Sequence, residues 1–299
     1  MAGFISPQQY AEVARDVFGR PNRNMQKTKE LDREIHESLI GCSYVVCSEL
    51  WNMIQPHANH KLHGSHPIHL LWALLFLKCY CTLPILSRIV GTSDREFSNR
   101  SWPFVEAIHD LVNRVINFNN RWKNWNQRSQ ALASLDDVDC PCMEFYPFNR
   151  GMYSHKFNGP AWRYEIGYSI FGKDIVWVNG PFKAGESEIT LFREAGLRNS
   201  LEPSECVECD SGYKGDFKLK NPATGANRSE REQKSAIRAR HEIVNGRLKQ
   251  FAVLDQVFRH LSREQHGFCF KAVVVITQLK FEFHGRLYDV DYDVVYHNH

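Results

Sequence analysis

The chain has 299 residues, enough for one large domain or two of ordinary size. Its 37 Lys and Arg against 34 Asp and Glu give a net charge of only +3. That balance neither requires nor excludes a nucleic-acid partner, because such binding needs local basic patches. The longest apolar run, Ile68 to Leu77, is too short to span a bilayer, and the N-terminal residues lack a signal-peptide pattern. We therefore expect no membrane association and reduced, intracellular thiols for the nine cysteines.

Residues 1–125 have the pattern of a helical region. Ser6-Pro7 is a typical helix start, and it precedes a helical pattern over Gln8 to Phe18. A polar stretch with Gly and Pro, residues 19–24, interrupts this pattern before it resumes over Lys27 to Ile54. The sequence therefore predicts two helical segments before the first strongly apolar stretch.

The next block follows the order helix, short helix, glycine turn, helix. Its segments are Ile68 to Cys81, Leu83 to Val90, Gly91-Thr92-Ser93 and Asp94 to Val112. This order is typical of a helix-turn-helix, in which Arg95, Asn99 and Arg100 would face DNA. An ordinary helical subdomain fits the same pattern. Pro103 inside the last segment predicts a kink or a fresh helix start.

From residue 126 to 299 the pattern changes to strands alternating with helices. Strands are predicted over Leu132 to Cys142, Arg163 to Phe171, Asp174 to Val178 and Glu205 to Asp210. A helix is predicted over Ser187 to Asn199, and residues 217–228 read as a loop. Phe268 to Phe283 fits a closing helix to about Leu279, with a strand as the alternative. The order predicts an α/β domain with a mixed sheet flanked by helices.

An amphipathic helix is predicted over Ser235 to Phe251. One stripe is expected to pack on the domain, with His241 as a packed histidine and a metal-adjacent position as its alternative: Ile237, His241, Val244, Leu248 and Phe251. The stripe beside it carries a carboxylate flanked by two cations and an amide: Arg238, Glu242, Asn245 and Lys249. Such a set can serve a charged ligand, for example a metal with phosphates. A solvated face with an Arg–Glu pair is the alternative.

Acidic residues also stand on the first predicted strand and at the end of the fourth. They are Asp136 and Asp139 on one and Asp210 on the other. Together with Glu242, an acid from each element can hold two divalent ions that clamp a phosphoryl transfer. Mg²⁺ suits this role, because it binds a few carboxylates and keeps some waters. Strand alternation turns Asp139 away from Asp136, so these two compete for the place of the first acid.

Four cysteines give an alternative metal hypothesis. Cys206 and Cys209 have the spacing of a zinc knuckle, and Cys140 and Cys142 complete a set of four thiols. All four also lie in or beside predicted strands, where cysteine behaves as a small hydrophobe.

Several passages make this chain resemble the catalytic subunit of PIF/Harbinger-type DNA transposons. That family belongs to the DDE transposase superfamily and has an RNase H-like catalytic domain. The main passages are Ser134 to Asp139, Pro147 to Gly167, Val176 to Phe182 and Arg238 to Asn245. Supporting passages are Leu70 to Tyr80, Val257 to His260 and Ala272 to Leu279. The likeness covers roughly residues 65 to 295.

The resemblance implies an acid triad of Asp136, Asp210 and Glu242 that holds two Mg²⁺ or Mn²⁺ ions. It further implies hydrolysis of phosphodiester bonds at transposon ends and transfer of the freed 3′-hydroxyl to target DNA. The 31 residues between Asp210 and Glu242 agree with the short second spacing of the family. Two departures are Asp136-Asp137-Val138 in place of Asp-Gly-Thr, and Glu188 in place of Asp. They leave open a domesticated, catalytically inactive DNA-binding or scaffold protein.

Polar and basic side chains near these acids are candidate contacts to DNA. They are Arg238, Arg240, Asn245, Arg247, Lys249, Lys214 and Lys156, with Arg163, Lys218 and Lys220 as additions. A solvated basic surface is the alternative for each. The resemblance also implies a Myb-like DNA-binding partner protein, a homo-oligomer on DNA, and a nuclear location.

Overall fold

The computed structural model describes residues 4–19, 34, 36–56, 59–125, 129–143, 149–172, 174–194, 196–210, 212–225, 227–285, 289, 292 and 294. Within these ranges, no helix has the length and apolar character that a bilayer crossing requires. Part of the predicted Lys27 to Ile54 segment, and Pro147 with Phe148, lie outside the described residues.

The chain divides into two compact units. The helical unit comprises Met1–Val115, Leu248–Gln256 and Gln265–His284, and the sheet unit comprises Ile116–Arg247, Val257–Glu264 and Gly285–His299. The first boundary lies ten residues before the predicted one at 125/126. The closing helix, which the sequence prediction placed with the sheet, belongs to the helical unit.

Most predicted helices are present in the structure. The described α-helices are α1 (Pro7–Phe18), α2 (Tyr44–Ile54), α3 (Pro67–Cys79), α4 (Leu83–Ile89), α5 (Asp94–Asp110), α6 (Val112–Val115), α7 (Glu188–Glu194), α8 (Leu197–Ser200), α9 (Arg228–Lys249), α10 (Ala252–Asp255) and α11 (Arg263–His284). Residues 36–40 are also helical. The segment from Phe268 is helical throughout, so the alternative of a strand there is wrong.

Local sequence signals explain several of these boundaries. Ser6 caps α1 with a full capping box to Gln9, as the Ser6-Pro7 start predicted. The predicted helix over Ser187 to Asn199 is two short helices instead, because Gly196 adopts a left-handed φ of 99° at the start of α8.

Helix α5 runs through Pro103 without a fresh start, contrary to one of the two predictions for that residue. The buried side chains of Phe104, Val105 and Ile108 follow Pro103 directly. Their packing offsets the missing backbone hydrogen bond. Arg95 and Asn99 on the same helix are exposed, so a DNA contact there stays a prediction.

The core of the helical unit is built around α3. This helix is apolar on all sides, and Leu70 to Leu77 are buried without a break. Trp72 stacks on Phe97 of α5 with ring centroids 5.8 Å apart. Trp51 of α2 stacks on Phe104 of α5 at 5.9 Å.

The sheet unit contains one mixed sheet. Its described strands are β1 (Ala131–Pro141), β2 (Tyr153–Ser154), β3 (Gly159–Ser169), β4 (Ile175–Lys183), β5 (Cys206–Cys209) and β6 (Leu219–Lys220). The order is β2-β3-β1-β5-β6, and β4 also pairs with β3. Pairs β1–β3 and β3–β4 are antiparallel, whereas β1–β5 and β5–β6 are parallel. The predicted mixed α/β architecture is therefore confirmed, with β4 longer than predicted.

Helices flank this sheet on both faces. One face of β1 and β5 packs on α7 and α8 through Leu135, Val207 and Phe192. The opposite face packs on α9, where the Ile237 side chain joins a cluster with Ala131 and Ile170. Because successive strand residues point to opposite faces, β1 directs Asp136 to one layer and Asp137 to the other.

Candidate functional site

The parallel pairing of β1 with β5 brings two acidic residues together. Leu135 is paired with Cys209, so Asp136 and Asp210 are the next residues along the two neighbouring strands. Both side chains line a small pocket that is closed by α9. The other lining residues are Ser134, Glu208, Cys209, Lys234, Ile237, Arg238 and His241. Asp136, not Asp139, is therefore the β1 acid that lies with Asp210.

Helix α9 faces these acids with Arg238, His241 and Asn245, which follow one another at steps of three and four positions. Arg238 Nη2 lies 3.2 Å from Asp210 Oδ1, and Asn245 Nδ2 donates a 2.9 Å hydrogen bond to Asp136 Oδ2. His241 Nδ1 lies between them in the helix, 4.0 Å from Asp136 Oδ2. This spacing places one ridge of the helix over the middle of β1 and the end of β5.

A buried ion pair fixes α9 to β5. Lys234 Nζ lies 3.1 Å from Glu208 Oε1, and the Tyr292 hydroxyl donates a 2.6 Å hydrogen bond to the same oxygen. Glu208 is two residues before Asp210, so its side chain points to the same face of β5. None of the predicted site residues belongs to this cluster of Lys234, Glu208 and Tyr292. The i,i+4 spacing of Lys234 and Arg238 is the signal that could have suggested it.

The chain gives the negative charge of the Asp136 carboxylate little electrostatic stabilisation. The pKa of Asp136 is raised to about 7, chiefly by burial and also by the negative charges of Asp137 and Asp210, while the hydrogen bond from Asn245 opposes this rise. Burial, together with Arg240 and Arg238, lowers the pKa of His241 to about 3. His241 is therefore a neutral imidazole at physiological pH, so it brings no charge to Asp136.

Glu242 occupies a different position from the other two acids of the predicted triad. Its side chain is exposed, and it does not line the pocket of Asp136 and Asp210. Each helical residue is turned about 100° from the last, so the residue after buried His241 points toward solvent. Among the described residues, no three His, Cys, Asp or Glu side chains stand close enough to form a preformed metal site.

The opposite face of β1 holds a second group of acids around Arg163. Arg163 Nε lies 2.8 Å from Asp139 and 3.3 Å from Asp137, and its Nη1 lies 2.8 Å from Glu188. The Ser154 hydroxyl donates to Asp139 at 2.6 Å. Arg163 and the three acids line a cavity of about 520 Å³. Asp139 is thus a partner of Arg163, and Glu188 also belongs to this face.

Two of the predicted DNA contacts are structural instead. Arg240 is buried and donates to the carbonyl oxygens of Ile170, at 2.8 Å, and Ser169. Lys218 is buried as well and donates to the carbonyl oxygens of Leu201 and Glu202. Both cations satisfy backbone carbonyl groups at the ends of secondary-structure elements, β3 and α8. The sequence pattern does not reveal such partners. Neither can contact DNA in this structure.

Arg163 is largely buried and bound by Asp137, Asp139 and Glu188, whereas the remaining candidates keep solvent access. Arg238 has 51% of its side chain exposed, and Lys214 and Lys156 are also exposed. Arg247 and Lys249 are half-buried on α9, and Asn245 is bound to Asp136. Lys156 lies at the cavity beside Arg163, on the other face of β1 from Asp136.

The structure does not bring the four candidate zinc thiols together. Cys206 pairs with Ala131 and Cys209 with Leu135, whereas Cys140 lies five residues further along β1. At about 3.3 Å per strand residue, that places Cys140 about 16 Å from the Cys209 position. All four are buried, as expected of small hydrophobic residues in strands. The zinc hypothesis is therefore wrong for this set.

The pocket nevertheless has the chemistry of a cation site. Asp136 and Asp210 supply carboxylate oxygens, the ligands that divalent ions prefer. Both ring nitrogens of His241 and Oδ1 of Asn245 are buried without a hydrogen-bond partner in the part of the chain that the structure describes. Buried polar atoms without a hydrogen-bond partner indicate a water or an ion that binds to them.

Comparison of the chain with protein-family models, with curated proteins and with solved structures found no match.

Proposed function

We propose that the chain is a metal-dependent DNA nuclease or transposase of the DDE type, with an RNase H-like sheet unit. One observation carries the proposal: the parallel β1–β5 pairing sets Asp136 and Asp210 side by side, facing α9. Acids from two adjacent strands under one helix are suited to divalent ions that act on phosphates. The resemblance to PIF/Harbinger transposases supports DNA as the substrate.

The residues of the pocket would have different roles in such a site. Asp136 and Asp210 would hold a Mg²⁺ or Mn²⁺ ion, and exposed Glu242 would join a second one. A bound divalent ion supplies Lewis-acid polarisation of a phosphoryl oxygen and activation of water at neutral pH. Asn245 holds Asp136 Oδ2 in place through its amide. The low pKa of His241 keeps it from adding positive charge beside Asp136.

The same helix offers cations for the DNA backbone. Arg238 is half-exposed directly above Asp210, and Arg247 and Lys249 follow on the next turns. Contacts of this kind are independent of sequence and weaken with salt. A Myb-like partner, assembly of several copies on DNA and a nuclear location belong to the same proposal.

The test is cleavage of supercoiled and linear DNA by the purified full chain with Mg²⁺ or Mn²⁺. Asp136→Asn and Asp210→Asn are expected to abolish nicking, whereas Asp255→Asn, an exposed acid on α10, is expected to leave it unchanged. Nicking that survives both variants would contradict the proposal. If Glu242→Gln nicks as fast as the wild type, Glu242 is not the third acid.

A second candidate function is DNA binding without cleavage. The specific observation in its favour is the ion pair between Arg238 and Asp210, which neutralises one of the two acids. The exposed position of Glu242 favours it as well. This candidate predicts salt-sensitive retention of DNA by the wild type, no nicking with any divalent ion, and equal retention by Asp136→Asn.

A further inference from the structure

His241 is the most unusual polar side chain near Asp136. It is only 4% exposed, and neither of its ring nitrogens has a hydrogen-bond partner among the described residues. A buried donor or acceptor without a partner costs about 1–3 kcal/mol. An apolar residue would fill this place on the packed face of α9 without that cost, so the imidazole calls for a chemical explanation.

The position of the His241 ring supplies a chemical explanation. His241 Nδ1 lies 4.0 Å from Asp136 Oδ2. Two atoms that each lie about 2.1 Å from one divalent ion are at most about 4.2 Å apart. A single ion that lies almost on the line between the two atoms can therefore reach both. The ring of Tyr168 packs edge-to-face on the imidazole at 4.6 Å and limits its rotation.

The other contacts of the pocket are compatible with an ion at this point. The Asn245 hydrogen bond occupies only one direction at Asp136 Oδ2, and an ionised carboxyl group accepts several bonds. Arg238, which pairs with Asp210, has half of its side chain in solvent and can turn outward when a cation arrives. Neutral imidazole is the form of histidine that binds metals.

We propose that His241 supplies a nitrogen ligand to the divalent ion held by Asp136, so that the site takes Mn²⁺ or Co²⁺ in preference to Mg²⁺. The proposal rests on the metal-dependent function above and adds its selectivity. Imidazole suits transition ions, whereas Mg²⁺ prefers an all-oxygen set with several waters. A site built from carboxylates alone would discriminate less between these ions.

Binding isotherms of the metal-stripped full chain with Mn²⁺, Co²⁺ and Mg²⁺ test the proposal. His241→Phe is expected to weaken binding of Mn²⁺ and Co²⁺ by about tenfold or more, and to change that of Mg²⁺ much less. His266→Phe, which replaces another fully buried histidine on α11, is the matched control and is expected to change neither. An equal loss for all three ions, or no loss, would overturn the proposal.

The test also separates this proposal from the proposed function. If Asp136→Asn abolishes both Mn²⁺ binding and nicking while His241→Phe keeps wild-type values, only the role of His241 is wrong. If the wild type binds no divalent ion, the metal-dependent function fails with it.

A measurement on the wild type covers the case in which His241→Phe does not fold. The electron spin echo of the full chain with substoichiometric Mn²⁺ is expected to carry modulation from a directly bound nitrogen. The same measurement on His266→Phe is expected to give the same signal. A spectrum without nitrogen modulation would overturn the proposal whatever the variants do.

Discussion

The two faces of strand β1 carry acids in opposite electrostatic surroundings. On one face, Asp139 contacts the Arg163 guanidinium and the Ser154 hydroxyl at 2.8 and 2.6 Å. On the other, Asp136 receives one amide hydrogen bond and faces a neutral imidazole. The two acids are three residues apart in one acidic run, so their different roles come from their partners.

The comparison shows how to distinguish a structural acid from a functional one. An acid that a buried cation of the same chain already neutralises has no need of an external ion. An acid with a raised pKa and unpartnered polar atoms beside it lacks a positive charge that would stabilise its ionised form. Such groups concentrate at functional sites. Asp136 fits the second description, whereas Asp139 is bound by Arg163 and Ser154.

Removing the cation from the Asp139 face has the largest expected effect. Arg163→Met leaves Asp137, Asp139 and Glu188 without their shared guanidinium. Loss of one partner of a buried pair costs about 3–5 kcal/mol, which urea unfolding measures.

The matched control is Arg228→Met, since Arg228 and its partner Glu232 are 93% and 65% exposed. Its expected cost is below about 0.5 kcal/mol. Similar unfolding midpoints for the two variants would remove the distinction between the two faces of β1.

Sequence periodicity predicted most of the architecture of the sheet unit. Strands β1, β3 and β5 and helix α9 follow local patterns of apolar residues, and these patterns persist because each element buries a whole face. The stripe from Ile237 to Phe251 is buried along its length, as predicted. The split between α7 and α8 was missed because it depends on the backbone conformation of one glycine.

The site was harder to predict, because it depends on which turn of a helix meets which strand. Strand alternation separated Asp136 from Asp139, but only the docking of α9 shows which of them meets the helix. Glu242 and His241 are adjacent in sequence and about 100° apart around the axis, so the rotation at which the helix docks decides which of them faces Asp136. Arg240 was misassigned because its partners are carbonyl groups about 70 residues away, which no local pattern encodes.

A substitution of Asp136, on the other face of β1, is expected to increase the stability of the fold instead of lowering it. The pKa of Asp136 is raised to about 7 in the folded chain, so the folded state holds its proton more tightly than the unfolded state does. The resulting stabilisation is complete below about pH 4 and is lost as the pH rises through about 7. In metal-free buffer, Asp136→Asn is expected to stabilise the chain by about 1–3 kcal/mol above that range, and much less near pH 4.

Thermal unfolding across this pH range, with a chelator present, provides the measurement. Asp139→Asn is the control from the other face, and it is expected to destabilise the chain at neutral pH because Arg163 loses a partner. If both substitutions shift the unfolding temperature in the same direction, Asp136 is not the under-compensated acid of the pair.

The smallest effect concerns the amide that holds Asp136. The Asn245 hydrogen bond favours the charged carboxylate and so opposes the effect of burial on the pKa. Asn245→Ala is therefore expected to raise the pKa of Asp136 further, by up to about one unit, in a carboxyl NMR titration of the metal-free chain. Asn199→Ala, at an exposed position on α8, is expected to leave this pKa unchanged. An unchanged pKa in Asn245→Ala would mean that the amide does not stabilise the charged carboxylate in solution. An increase would identify Asn245 as the group that keeps Asp136 ready to ionise for a cation.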